Sequence, residues 1–264
     1  IVLGTASGPE GRSPGPSAME LVLIGLGGCT AYDVVHFLEK GRQPIEDVTV
    51  HLGDTDAPPG AGSGGSWGAG SSGTSVYLAC EALRAKIAKA MGVAEDAMTL
   101  KDGRVIADNR SVPLGQLVGD GIEATGEISA GHQEKTFNQA SYGAHFCEVA
   151  VHAVTGEVRV KRMLGVFTAG RILNAKTARS QAIGGMTFGV GAALMEDAVV
   201  DPRYSYFVNH DMAEYHVPVH ADLPEIDAVF LPELDDKANP LKSKGLGELG
   251  ICGAGASLAN AIYN

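Results

Sequence analysis

Asn239-Pro240-Leu241-Lys242-Ser243-Lys244-Gly245-Leu246-Gly247-Glu248-Leu249-Gly250 is the stretch whose reading decides this chain. A single carboxylate, Glu248, sits next to glycine and is followed by the apolar Leu249 and Ile251. Glycine has no Cβ, so its backbone can press against a ligand and present N–H donors to it. The apolar neighbours are expected to strip water from Glu248, which suits a general base. On residue chemistry alone, a surface turn with a solvated glutamate is the simpler alternative.

Working outward, a last helix is expected to start near Ala254. Val217, Val219, Ile226, Val229 and Leu231 suggest extended structure broken by Pro218, Pro224 and Pro232. Residues 177–196 read as a helix that contains Gly184, Gly185, Gly189 and Gly191. Each glycine costs about 1 kcal/mol against alanine in a helix interior. Either they admit another backbone or ligand, or the helix is broken there. Cys147, Val149, Val151 and Ala153 alternate with polar or small residues, Thr155-Gly156 makes a turn, and Val158 and Val160 continue the pattern, which predicts a β-hairpin. Val76, Cys80, Leu83, Ile87 and Met91 form one helical stripe expected in a core. Residues 57–73 have the composition of a flexible linker. Ser17 and Glu20 make a capping box for a helix over residues 17–40, and residues 48–52 alternate as a strand does.

The 264 residues are 45% hydrophobic and 19% charged, enough for a sizeable core. A net charge of -11 argues against nucleic-acid binding. Cys29, Cys80, Cys147 and Cys252 form no close pair, so a disulfide framework, a zinc knuckle and an in-chain iron–sulfur cluster are all unsupported. Cys80 and Cys147 are expected to be buried small hydrophobes. His210, His216 and His220 match no common zinc spacing and are expected to be structural or surface residues. The apolar stretch at residues 21–26 is too short to span a bilayer, and no secretory signal is visible. With no initial Met and an apparent helix at its end, the chain reads as a fragment at both ends.

The Lys-Gly-Leu-Gly-Glu stretch with its upstream Asn-Pro resembles the active-site glutamate signature of the xanthine dehydrogenase/aldehyde oxidase family of molybdenum hydroxylases. Further motifs resemble the family in the same order: Gly53-Asp54-Thr55-Asp56 with Pro58-Pro59, residues 62–67, Tyr77-Leu78-Ala79-Cys80, Gly170-Arg171-Ile172-Leu173-Asn174, Gln181-Ala182-Ile183-Gly184-Gly185 and Ala213-Glu214-Tyr215-His216-Val217-Pro218. The resemblance covers about residues 47–264 and is closest to the bacterial aldehyde oxidoreductases. It implies an α+β fold, mixed sheets with packed helices, forming the molybdopterin-binding domain of a large subunit. It implies molybdopterin cytosine dinucleotide, with the metal held by the cofactor's dithiolene rather than by side chains. It implies that Glu248 removes a proton from Mo-bound hydroxide, that water supplies the oxygen, and that hydride passes to Mo=S. Lys244, Gly245, Leu246 and Gly247 would lie against the cofactor. Arg171, Ile172, Leu173, Asn174, Ala175, Lys176, Thr177 and Gln181 would hold the pterin and its dinucleotide tail, with Arg171 and Lys176 candidates for the pyrophosphate. Ser66, Trp67 and Gly68 would be a further pterin contact, so that the apparent linker is ordered. The substrate would be a small aldehyde or an N-heterocycle. Electrons would leave through partner subunits carrying [2Fe–2S] clusters and FAD. The family's large subunit has an N-terminal half that this chain lacks, so the chain alone is expected to bind cofactor weakly. The cytoplasm is the expected compartment, or the periplasm if a signal-bearing partner exports the complex.

Residues 1–46 resemble instead the N-terminal half of OsmC-like hydroperoxide reductases, through residues 15–35 with Cys29, and Arg42-Gln43-Pro44. This gives a helical fragment at 1–46 and a molybdopterin-binding domain at 47–264. It leaves two rival functions, a thiol peroxidase using Cys29 and a non-catalytic remnant. Cys29 lies about three turns into its helix, too far from the N-terminus for the helix dipole to activate it, so it is expected to be inert.

Overall fold

The computed structural model describes residues 56, 64–66, 68–129, 131–211 and 213–264. The expected helix at 17–40, the strand at 48–52, Cys29 and Trp67 lie outside them. The chain divides into two units. One comprises residues 1–62 and 71–130, the other 63–70 and 131–264.

In the first unit, helix α1 (Gly68–Met91, its first three residues belonging to the second unit) packs its C-terminal half on a small antiparallel sheet. The strands are β1 (Met98–Lys101), β2 (Arg104–Ala107) and β3 (Arg110–Pro113), in that order. Asp102 and Gly103, with φ of 51° and 68°, form the tight turn between β1 and β2. A short helix α2 (Leu114–Val118) follows. The core is Ile87, Ala88, Met91, Met98, Val105 and Ala107. The predicted stripe on α1 therefore holds at Ile87 and Met91, while Val76 and Leu83 are half-buried. Cys80 is exposed, which corrects its expected burial. Its half of α1 extends beyond the part packed on the sheet.

The second unit is built on β4 (Tyr142–Val151), β5 (Val158–Thr168) and β8 (Ile226–Phe230), ordered β4-β5-β8. The first pair is the predicted hairpin, antiparallel with a bulge at Glu148/Val149; β8 adds in parallel to β5. Cys147 is half-buried against the core. Helix α3 (Ala175–Leu194) makes the crossover, and a two-stranded ribbon, β6 (Val200–Asp201) with β7 (Tyr206–Phe207), follows it. Helices α4 (Leu249–Cys252) and α5 (Ala254–Tyr263) end the chain. Phe167, Met163, Met186, Val190, Ala254 and Leu258 centre the core.

Helix α3 is continuous through its glycines. A Cβ on Gly185 would stand 2.8 Å from the Ile251 nitrogen, and one on Gly189 would collide with Ala254. On the facing chain, a Cβ on Gly250 would collide with the Ala182 carbonyl. The helix thus runs backbone-to-backbone against the 250–254 turn, and close approach is the reading the structure selects. Gly184 faces open space.

Two substitutions separate these roles. Gly184→Ala is expected to stabilise the protein by up to about 1 kcal/mol, the helix-propensity gain. Gly189→Val is expected to destabilise it by about 1–3 kcal/mol, because there is no room for the added carbons. Denaturant unfolding measures both, and effects of the same sign would contradict this packing.

Candidate functional site

The glycine loop after β8 is moored at its start by a short backbone ladder. Arg171 N–H donates to Lys242 O at 2.7 Å and Lys244 N–H to Ala169 O at 2.8 Å, around the bridge Gly170–Ser243. Gly170 has φ of 65°, and a Cβ there would run into the Lys242 carbonyl. Asn239 folds the approach: its Nδ2 donates to Ser243 O at 2.7 Å.

Beyond the ladder the loop lies on the residues 64–66 turn. A Cβ on Gly245 would stand 2.8 Å from Gly65 O, and one on Gly247 would stand 2.9 Å from Ser66 Oγ. From α3, Gln181 Nε2 donates to Gly247 O at 2.9 Å. Ser141 Oγ donates to Gly245 O at 2.6 Å. At the loop's far end, His145 Nε2 lies 2.9 Å from Gly250 O; a carbonyl can only accept, so Nε2 carries the proton. The His145 ring is braced edge-on by Phe167, 5.1 Å between centroids.

The structure therefore brings Ser66, Gln181, Gly245 and Gly247 into one cluster, with Arg171 joined to its mooring by backbone. Leu246 is half-buried between them, and Gly68 opens α1 just after the turn. Asn174 caps α3, its Oδ1 accepting from Lys176 N–H at 3.0 Å and Thr177 N–H at 3.1 Å. Ile172 and Leu173 are half-buried; Ala175, Lys176 and Thr177 form the exposed first turn. Arg171 and Lys176 are exposed beside the N-terminus of α3, which adds to the positive potential there.

Glu248 corrects one expectation. It is exposed, at the N-cap of α4, rather than desolvated by Leu249 and Ile251. Successive residues at a helix start point about 100° apart, so apolar sequence neighbours do not shield it. Leu249 turns inward, and Ile251 is itself 43% exposed.

Sequence reasoning missed Glu233, which lies behind the loop. Its Oε1 accepts from Lys244 Nζ at 2.7 Å and its Oε2 from Gly170 N–H at 2.8 Å. The Lys244 side chain is 4% exposed, turned inward away from the loop's open side. His145 and Ser141 were also missed. All three act across long sequence separations, which no local spacing reveals.

A family model described as "Molybdopterin cofactor-binding domain" matches residues 30–224. The chain belongs to that family. It is 52% identical over 222 residues to the aldehyde oxidoreductase molybdenum-binding subunit PaoC of Escherichia coli (strain K12), covering 84% of this chain and 30% of PaoC. It is 31% identical over 231 residues to the probable hypoxanthine oxidase XdhD of the same strain, covering 84% and 24%. The chain thus spans less than a third of these relatives' length. Among solved structures, reconstituted CO dehydrogenase from Oligotropha carboxidovorans superposes with a TM-score of 0.65 at 19% identity, over 79% of this chain and 28% of that one. Quinoline 2-oxidoreductase from Pseudomonas putida 86 superposes with a TM-score of 0.57 at 22% identity, over 72% and 26%. Both share the fold, as the α+β expectation requires. The OsmC resemblance of residues 1–46 finds no support: the molybdopterin-family match begins at residue 30, inside that segment.

The loop's chemistry fits the family's cofactor. The N–H groups of Gly245, Leu246 and Gly247 meet no backbone acceptor among the described residues, and the two glycines let the loop lie close on the Ser66 turn. Such donors suit a polar, anionic ligand.

Burial pushes the Glu233 carboxyl up, but the bonds from Lys244 and Gly170 outweigh it and hold the group below its ordinary range. The unfolded carboxyl, near about 4.3, therefore takes a proton first as pH falls. The stabilisation is complete above that value and drains away as pH drops through the lower folded one. Glu233→Gln is expected to flatten the acid limb of a stability-versus-pH curve. An unchanged limb in the variant would contradict this pairing.

Proposed function

We propose that this chain is the cofactor-facing part of a molybdenum hydroxylase that oxidises small aldehydes, with N-heterocycles as the second substrate class. The observation that carries the reading is the seat of Gly247, packed against Ser66 and tied to Gln181, with Glu248 as the next residue. The family match supports the cofactor, and the 52% identity to PaoC supports the aldehyde class.

When bound, the molybdenum cofactor supplies the two-electron acceptor and a water-derived oxygen. The chain's own residues do the rest. Gln181 and the Ser66 turn fix the height of the Gly245–Gly247 backbone, whose N–H groups would face the pterin. Arg171, Lys176 and the Asn174-capped start of α3 offer positive potential to the pyrophosphate of a cytosine dinucleotide tail. Glu248 stands at the end of this loop, where its carboxylate would take up a proton as general base. Its exposure within this chain leaves the drying of the site to residues other than those described. The electrons would leave through partner subunits bearing [2Fe–2S] clusters and FAD. No helix among the described residues is long and apolar enough to cross a membrane. The proposed compartment is the cytoplasm, or the periplasm for a complex exported by a partner.

Glu248→Gln tests the role. In the assembled enzyme it is expected to leave molybdenum content near that of the parent and to lower kcat/KM by about 10²–10⁴-fold. Near-normal turnover removes Glu248 from catalysis. A parent protein without molybdenum or pterin defeats the cofactor reading and favours a non-catalytic remnant.

A further inference from the structure

Glu233 belongs to none of the motifs that mark the family resemblance, yet it touches both segments proposed to hold the cofactor. After β8, Leu231 N–H still donates to Phe167 O at 2.8 Å, so the chain runs alongside β5 to its end. This places Glu233 beside Gly170. One carboxylate oxygen accepts the Gly170 N–H and the other accepts Lys244 Nζ. Gly170 opens the arm that leads through Arg171 and Asn174 to Gln181. Lys244 opens the loop that ends at Glu248. One carboxylate therefore bridges the roots of both.

The bridge is demanding. The Lys244 side chain is 4% exposed, and a buried ammonium without a counter-charge is strongly disfavoured. Among the described residues the other carboxylate paired with it is Asp235, whose Oδ2 lies 3.7 Å away, beyond a direct hydrogen bond. Asp235 is also engaged elsewhere, its Oδ1 accepting from Lys237 N–H at 3.0 Å and Ala238 N–H at 3.1 Å. The Tyr142 ring, 5.8 Å from Nζ, closes another side. Lys244 is thus held by Glu233 in an internal position, and its backbone N–H is committed to Ala169.

We propose that Glu233 is a positioning residue for the cofactor site: its two oxygens set the spacing between the Gly170–Gln181 arm and the Lys244–Glu248 loop. Both groups it holds are charged or backbone donors with fixed directions, so a shorter side chain cannot serve both. The inference rests on the proposed cofactor reading.

The test uses the full chain produced with its partner subunits under molybdenum-replete conditions, and reads molybdenum per protomer, the rate of cofactor release and Tm. Three variants are compared: Glu233→Asp, Glu233→Gln and Asp235→Asn. The two Glu233 variants are expected to release cofactor about tenfold faster, because the groups that touch it lose the carboxylate that orients them. Asp235→Asn loosens the same lysine without touching Gly170, and is expected to lower Tm while keeping the parent's occupancy. Glu233→Gln keeps the length and supplies the reading if Glu233→Asp fails to fold. Occupancy and release equal to the parent's in the Glu233 variants overturn the proposal, as does occupancy that merely follows Tm across all three. A parent that carries no molybdenum overturns instead the cofactor reading beneath it.

Discussion

Everything proposed for this site hangs from two backbone hydrogen bonds, Arg171 N–H to Lys242 O and Lys244 N–H to Ala169 O. They join segments remote in sequence, and they form because Gly170 turns with positive φ and has no Cβ to strike the facing carbonyl. A side chain there would meet both penalties, the strained conformation and the collision. Once the ladder closes, the two arms cannot slide past each other. The loop's glycines then rest on the Ser66 turn, and Gln181 reaches Gly247 from the second turn of α3.

The second constraint is the glycine face of α3. Glycine lowers intrinsic helix propensity, yet α3 runs unbroken for 20 residues. Tertiary packing outweighs the local preference, because Gly185 and Gly189 let the 250–254 turn approach to backbone contact. His145 closes the same turn from β4 by holding the Gly250 carbonyl. Glu248 therefore projects into solvent from a turn held on two sides, by α3 and by His145. In the proposed role, a carboxylate carried on such a braced turn would reach its partner with little entropy cost of ordering the loop.

Much of this was legible in the residues. The hairpin of β4 and β5 follows from strict alternation around Thr155-Gly156, and α5 starts at Ala254 where the pattern placed it. The family resemblance assigned Ser66, Gln181 and Gly247 to one cofactor, and the structure places the three side by side. The small sheet β1–β3 was overlooked, although Asp102-Gly103 between short apolar runs is a hairpin signal. Its strands of four residues are too short for periodicity to speak. Glu233, His145 and Cys80 were beyond local reading for another reason: what each touches depends on where distant elements lie. Hydropathy of sequence neighbours likewise says little about Glu248, since a helix start fans its side chains outward.

The account is tested most directly by the molybdenum content of Gly247→Ala in the assembled protein. The added Cβ would stand 2.9 Å from Ser66 Oγ, which can rotate aside, and 3.3 Å from Ser66 Cβ, which can yield only with its backbone, so the loop is expected to shift on its seat while the helix packing and the Gly170 ladder stay in place. The account predicts a folded protein with the parent's Tm to within a few degrees and a clear loss of bound molybdenum. Full molybdenum content in that variant would contradict it, since the close seat of Gly247 would then have no bearing on the cofactor.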